Sequence, residues 1–142
     1  LIVLDTVDRT PGLPALVGCG QRALRPEPVP VGQVACTVCG MLVSREDQSA
    51  EWIAEGEEPR FYDDIGCLAT DPWKASGRSA RFVHVGRSWF PAESVFYARP
   101  AALTTPMGYG VAAFATREAA AASATAPSSG PVTRPASILR PR

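Results

Sequence analysis

The sequence is short of several things, and each shortage removes a class of function. No run of apolar residues approaches the ~18 needed to cross a bilayer as a helix, so the 142 residues contain no membrane-spanning helix of that kind. Formal net charge is zero, and Lys74 is the only lysine among 14 basic residues. The basic excess that grips a phosphate backbone is missing, and no nucleic-acid partner is expected. There is one histidine, His84, and no second C-x-x-C, so the usual four-ligand zinc-ribbon pattern is incomplete. Asp63 and Asp64 have no nucleophile or second acid group arranged with them, and they read as a helix cap and turn. The chain is therefore expected not to be an enzyme.

What remains is the balance of a globular protein: 46% apolar and 20% charged residues in a length suited to one domain. The 14 prolines and 12 glycines are unevenly spread. Residues 1–33 hold five prolines and no sustained periodicity, and Arg25–Pro30 reads as an extended linker. Within this arm Leu16-Val17-Gly18-Cys19 matches a bacterial lipobox, which makes Cys19 a candidate lipidation site. Asp5, Asp8, Arg9 and Pro11 interrupt the apolar run that a signal peptide needs upstream. Residues 126–142, rich in Pro, Ser and Arg, are expected to be a disordered tail. The folded part is then 34–125. Acidic residues crowd Glu46–Asp71 and basic ones follow Pro72, a pattern expected of a solvated surface.

Short strands dominate the folded part. Met41–Ser44, Ala50–Glu55, Arg60–Tyr62, Arg81–Val85, Ser94–Ala98 and Gly110–Ala115 are β-prone, and Gly56-Glu57-Glu58-Pro59 is a turn. Asp63 or Asp64 caps a helix from Ile65 towards Pro72, and Thr116 caps an alanine-rich helix over Arg117–Ser123. Strands and helices mixed without regular alternation predict an α+β domain of short antiparallel strands with two helices, flanked by extended proline-rich arms.

Three of the four cysteines lie in the folded part. Cys36-Thr37-Val38-Cys39 is a C-x-x-C pair, open to half a zinc site, a redox dithiol, a soft-metal clamp or a small disulfide. Met41 lies two residues beyond Cys39. Met107 sits in Thr105-Pro106-Met107-Gly108-Tyr109-Gly110, a loop where a methionine has little packing to do. Thiolate and thioether select Cu(I) over hard cations, and His84 adds an imidazole that copper accepts. His84 alternates in phase with Phe82, so packing competes with ligation at that position. Cys67, in the apolar helix segment Ile65-Gly66-Cys67-Leu68, is expected to be a buried, inert cysteine. A zinc reading would instead recruit it beside Cys36 and Cys39, with His84 as a fourth potential ligand.

Four blocks together resemble the NosL family of copper-binding accessory lipoproteins of nitrous oxide reductase assembly. They are Cys36-Thr37-Val38-Cys39-Gly40-Met41, Phe61-Tyr62-Asp63-Asp64-Ile65-Gly66-Cys67, Phe82-Val83-His84-Val85, and Thr105–Gly110 with the following Val111–Ala115. The resemblance spans about Ala35 to Ala122. It implies two ββαβ-like halves, a Cu(I) site drawn from Met107, Cys36, Cys39, Met41 and His84, and anchoring through Cys19. It also implies a periplasmic or other extracytoplasmic location, and delivery of copper to a client metalloenzyme or membrane complex. The alternatives are a non-catalytic accessory subunit that keeps this fold and a structural zinc-binding domain.

Overall fold

A computed structural model of the chain describes residues 23–124 and the backbone strand 130–133. The domain is α+β, with seven strands in two antiparallel sheets and two helices among the described residues. The first sheet comprises β1 (Ala50–Ala54), β2 (Arg60–Tyr62), β3 (Ser79–Val85) and β4 (Ser88–Pro91), in the order β2-β1-β3-β4. The second comprises β5 (Phe96–Arg99), β6 (Ala112–Phe114) and β7 (Gly130–Thr133), in the order β6-β5-β7. Helix α1 (Ile65–Thr70) falls between β2 and β3, and α2 (Arg117–Ser123) between β6 and β7. Each half thus runs ββαβ, and β4 extends the first.

Register decides which side chains reach the interior, because a strand alternates its faces. Ala50 lies opposite Tyr62 on one side and Val83 on the other, and this row faces the core shared by the two halves. The second half contributes Ala92, Val95, Tyr97, Val111 and Ala113 to that core, and α1 contributes Ile65, Cys67 and Leu68. On the opposite face Glu51 lies between Phe61 and Phe82. There Val29 and Val43 pack with Phe61 in a smaller cluster.

Both helices begin where the cap residues lead one to expect. Asp64 is extended and accepts the Gly66 N–H at 2.9 Å, and Thr116 accepts the Ala119 N–H at 3.1 Å. Several strand boundaries differ from expectation. Met41–Ser44 forms no strand; only an isolated bridge joins Leu42 to Ala35, because the chain there turns back around the cysteine pair. Ser94 belongs to a 3₁₀ turn over Ala92–Ser94, which delays β5 to Phe96. Gly110, at φ +63°, holds the candidate strand Gly110–Ala115 to Ala112–Phe114. β4 was not anticipated.

The domain limits also shift. The extended segment before residue 34 is packed on the domain rather than free: Val29 is buried, and the Glu27 N–H bonds Glu51 Oε2 at 2.9 Å. In the tail expected to be disordered, Gly130–Thr133 pairs with β5, Tyr97 against Thr133 and Arg99 against Gly130. An unpaired edge of β5 is what makes room for it. Cys19 and the remainder of both arms lie outside the described residues.

Candidate metal centre

The C-x-x-C segment is a tight loop fixed by backbone bonds. Cys36 donates to the Met41 carbonyl at 2.7 Å, Gly40 donates back to the Cys36 carbonyl at 2.9 Å, and Thr37 donates to the Phe61 carbonyl at 2.9 Å. Gly40 at φ +74° takes the left-handed conformation the return requires. The Thr37 bond to Phe61 ties this loop to β2, and β2 leads through Asp63 and Asp64 into α1. That connection carries Cys67 to the same place. The sulfurs of Cys36, Cys39 and Cys67 all lie within 4.8 Å of one another, and these three cysteines could hold a metal ion. Cys36 and Cys67 are buried and Cys39 is partly exposed, so the group is reached from one side.

Cys67 thus stands with the C-x-x-C pair, the grouping that the zinc alternative gives it. It is buried in an apolar setting, as expected, but the first turn of α1 directs it at Cys36 instead of at hydrocarbon alone. The spacing gave no hint, since 27 residues separate it from Cys39 in sequence. The available signal was the capped helix start directly after a strand, which fixes a third helical residue in space.

The electrostatics favour one thiolate in the group. The Cys67 thiol donates to Cys36 and lowers its pKa to about 5; burial opposes this, and backbone N–H groups of Cys39, Asp63 and Val38 reinforce it. Successive backbone N–H groups aimed at one atom form an anion-binding concavity. Cys67 titrates far above the ordinary thiol range because it donates to Cys36 and is buried. Burial also pushes Cys39 up. A bound soft cation would replace the protons of these two thiols.

His84 is not in the three-cysteine group. Its Nδ1 pairs with Ser49 Oγ at 3.2 Å, its ring stacks on Trp89 at 3.7 Å, and burial lowers its pKa. It borders a small cleft of about 170 Å³ with Gln48, Ile65, Leu103 and Val111. The alternation with Phe82 therefore signalled packing. Met41 is 53% exposed beside the cysteine loop. Met107 is 38% exposed, in a loop whose attachment to α1 is direct: Asp64 Oδ2 accepts the Met107 N–H at 3.2 Å and the Thr105 hydroxyl at 2.5 Å.

One polar cluster had no sequence signal. Asp71 accepts from Tyr62 Oη at 2.7 Å, from Arg60 at 3.0 Å and from the Trp73 N–H at 2.9 Å, which closes the end of α1 onto β2. Burial alone would raise its pKa, but these donors win and hold it below the usual carboxylate range.

Fold and site together define a small α+β protein with a three-thiol group able to hold a metal ion. No protein-family model matches the chain, and no curated protein or solved structure matches it.

Proposed function

We propose that the chain is a Cu(I)-binding carrier, a binding protein and not a catalyst, which holds the ion at the Cys36–Cys39–Cys67 group and passes it to a client metalloenzyme. The observation that carries this is the mutual approach of three sulfurs to within 4.8 Å. A metal–thiolate bond of ~2.3 Å in a three-coordinate site separates sulfurs by about 4 Å, so little rearrangement is needed. Thiolate donors suit a soft ion. With His84 outside the group, the protein supplies three imidazole-free soft ligands, and a fourth position stays open to Met107 or to a donor from the client.

That open position suits transfer. An incoming thiolate or thioether can add before any protein ligand leaves, and partly exposed Cys39 is the ligand such a donor would meet first. The resemblance to the NosL family through the four sequence blocks supports copper as the cargo and an extracytoplasmic setting, with anchoring through Cys19. The same three thiols also suit zinc, which makes zinc the comparison metal.

The test is anaerobic titration of the reduced protein with Cu(I) against a competing chelator, repeated on Cys67→Ser and on Cys36→Ser/Cys39→Ser. We expect tight one-to-one binding that each variant weakens at least tenfold, with zinc held far more weakly. Tight zinc binding whose removal unfolds the domain would replace the carrier by a structural zinc site. Absence of tight Cu(I) binding would sink the copper reading.

A further inference from the structure

We infer that Asp64 is a positioning residue of the metal centre, fastening the loop that bears Met107 to the helix that bears Cys67. This deepens the proposed function and rests on it. Asp64 is fully buried, and both carboxylate oxygens are committed. Oδ1 accepts the Gly66 N–H at 2.9 Å and so starts α1. Oδ2 accepts the Thr105 hydroxyl at 2.5 Å and the Met107 N–H at 3.2 Å. Thr105 Oγ1 in turn accepts the Gly110 N–H at 3.0 Å, which closes the Thr105–Gly110 loop on itself.

A second contact independent of the carboxylate holds the same two pieces together. A Cβ built on Gly66 would lie 2.0 Å from Tyr109 Cγ, so the Tyr109 ring rests directly on the helix backbone. The loop is thus pressed to the first turn of α1 by an aromatic ring and bonded to it by one carboxylate.

A helix cap needs one oxygen and one N–H. The side chain of Thr116, at the matching point of α2, makes only that local bond among the described residues. Asp64 uses its second oxygen to reach 41 and 43 residues along the chain. The consequence is geometric. Met107 presents a thioether in a loop of Pro and Gly that would otherwise have many conformations, and its backbone N–H is fixed three residues from the Cys67 position on the cap residue itself. Asp64 touches no ion; it acts through Met107, by restricting where the thioether can be.

The experiment is a double-mutant cycle read by Cu(I) affinity in anaerobic chelator competition, using the full chain. The proteins are wild type, Asp64→Asn, Met107→Leu and the double variant, with Thr105→Val as a second route that removes the hydroxyl bond of the loop to Asp64 and leaves the Gly66 cap intact. We expect Met107→Leu to weaken Cu(I) about tenfold, and Asp64→Asn and Thr105→Val to weaken it severalfold. The double variant should bind no more weakly than Met107→Leu alone. A purely structural role for Asp64 would give additive losses instead, and additivity overturns the inference. So does unchanged affinity in a folded Asp64→Asn and a folded Thr105→Val. If Met107→Leu binds as tightly as wild type while Cys67→Ser does not, the positioning role is overturned and the thiol site survives. If wild type itself fails to bind Cu(I), both fall.

Discussion

The two halves share a topology and differ in what they bury. In each, a strand, a second antiparallel strand, a helix and a third strand follow in order, with the first strand central: β2-β1-β3 and β6-β5-β7. Even the step from the second strand to the helix matches, two residues in both cases, Asp63-Asp64 and Ala115-Thr116. Counting along, Gly66 corresponds to Glu118 and Cys67 to Ala119. Yet Ser49, Glu51, Asp63, Asp64, Asp71 and His84 are all buried in the first half, whereas the second buries only Thr105 among its described polar residues, and Thr105 bonds Asp64. The second half is an apolar layer of alanines, Val95, Tyr97 and Val111. A ββαβ unit needs no buried carboxylate to form, so those of the first half answer a different demand. Asp63, Asp64 and Asp71 brace β2, α1 and the loops that bring three sulfurs together. Asp63 Oδ1 does so by accepting from the N–H and hydroxyl of Ser44, just past the cysteine loop.

The sharpest way to break this comparison is at Gly66. Its Cβ would enter the Tyr109 ring, and the atom met first, Cγ, is the rigid near end of that side chain. Gly66→Ala is expected to cost about 3 kcal/mol and to displace the 105–110 loop, read by urea unfolding. Glu118→Ala, at the equivalent point of α2, should stay within about 0.5 kcal/mol. Equal effects would mean that the two helices are not held differently.

Asp71 comes next. Asp71→Ala leaves the buried Tyr62 hydroxyl without its acceptor and Arg60 without its carboxylate partner. A loss of about 2–3 kcal/mol is expected. Because its folded pKa is depressed, the stability Asp71 contributes is present at neutral pH and lost only as pH falls through that lowered value.

Glu51 works in the opposite sense. It is fully buried, its Oε1 has no hydrogen-bond partner among the described residues, and desolvation raises its pKa from 4.5 to about 7 against the pull of the Glu27 N–H. A raised folded pKa means the native state binds the extra proton. Stability on this account is greatest below 4.5 and is lost as pH rises through about 7. The loss is about 3 kcal/mol. His84 titrates with the other sign, its lowered pKa costing stability as pH falls. The difference in unfolding free energy between wild type and Glu51→Gln, followed from pH 4 to 8, isolates the Glu51 part. A difference that does not vary with pH would show that the carboxylate is solvated and the arm over it open.

Much of this was legible in residue order, and what was not has a common cause. Ala50–Ala54, Arg60–Tyr62 and both helices follow from alternation and from the cap residues Asp64 and Thr116, which act within a few residues of themselves. The pairing of Cys36 and Cys39 was equally local. Cys67 reads as inert because its neighbours are apolar and its partners are 28 and 31 residues away in sequence; only the fold brings them together. His84 was ambiguous for the mirror reason: an imidazole is a ligand or a packed ring according to what stands opposite, here Trp89 across β3 and β4. β4 itself is only Ser88–Pro91, too short for alternation to identify, and Gly130–Thr133 becomes a strand because β5 offers it an edge. Non-local bonding decided each of these.

Thr116 gives the smallest effect and the cleanest control. Its hydroxyl satisfies one N–H at the start of α2, a seven-residue helix whose only buried residue is Ala120. Thr116→Ala should therefore cost about 1 kcal/mol, spread no further than α2 and its contacts with β5 and β6, and leave Cu(I) affinity where it was. Asp64→Asn keeps an oxygen for its cap and so loses less of the cap itself, yet it is expected to weaken Cu(I) severalfold. A stability loss without an affinity loss at Thr116, set beside an affinity loss at Asp64, would separate a cap that only starts a helix from one that also fixes a distant loop. If Thr116→Ala weakened Cu(I) as much as Asp64→Asn does, affinity would be tracking overall stability, and the division of labour between the halves would fail.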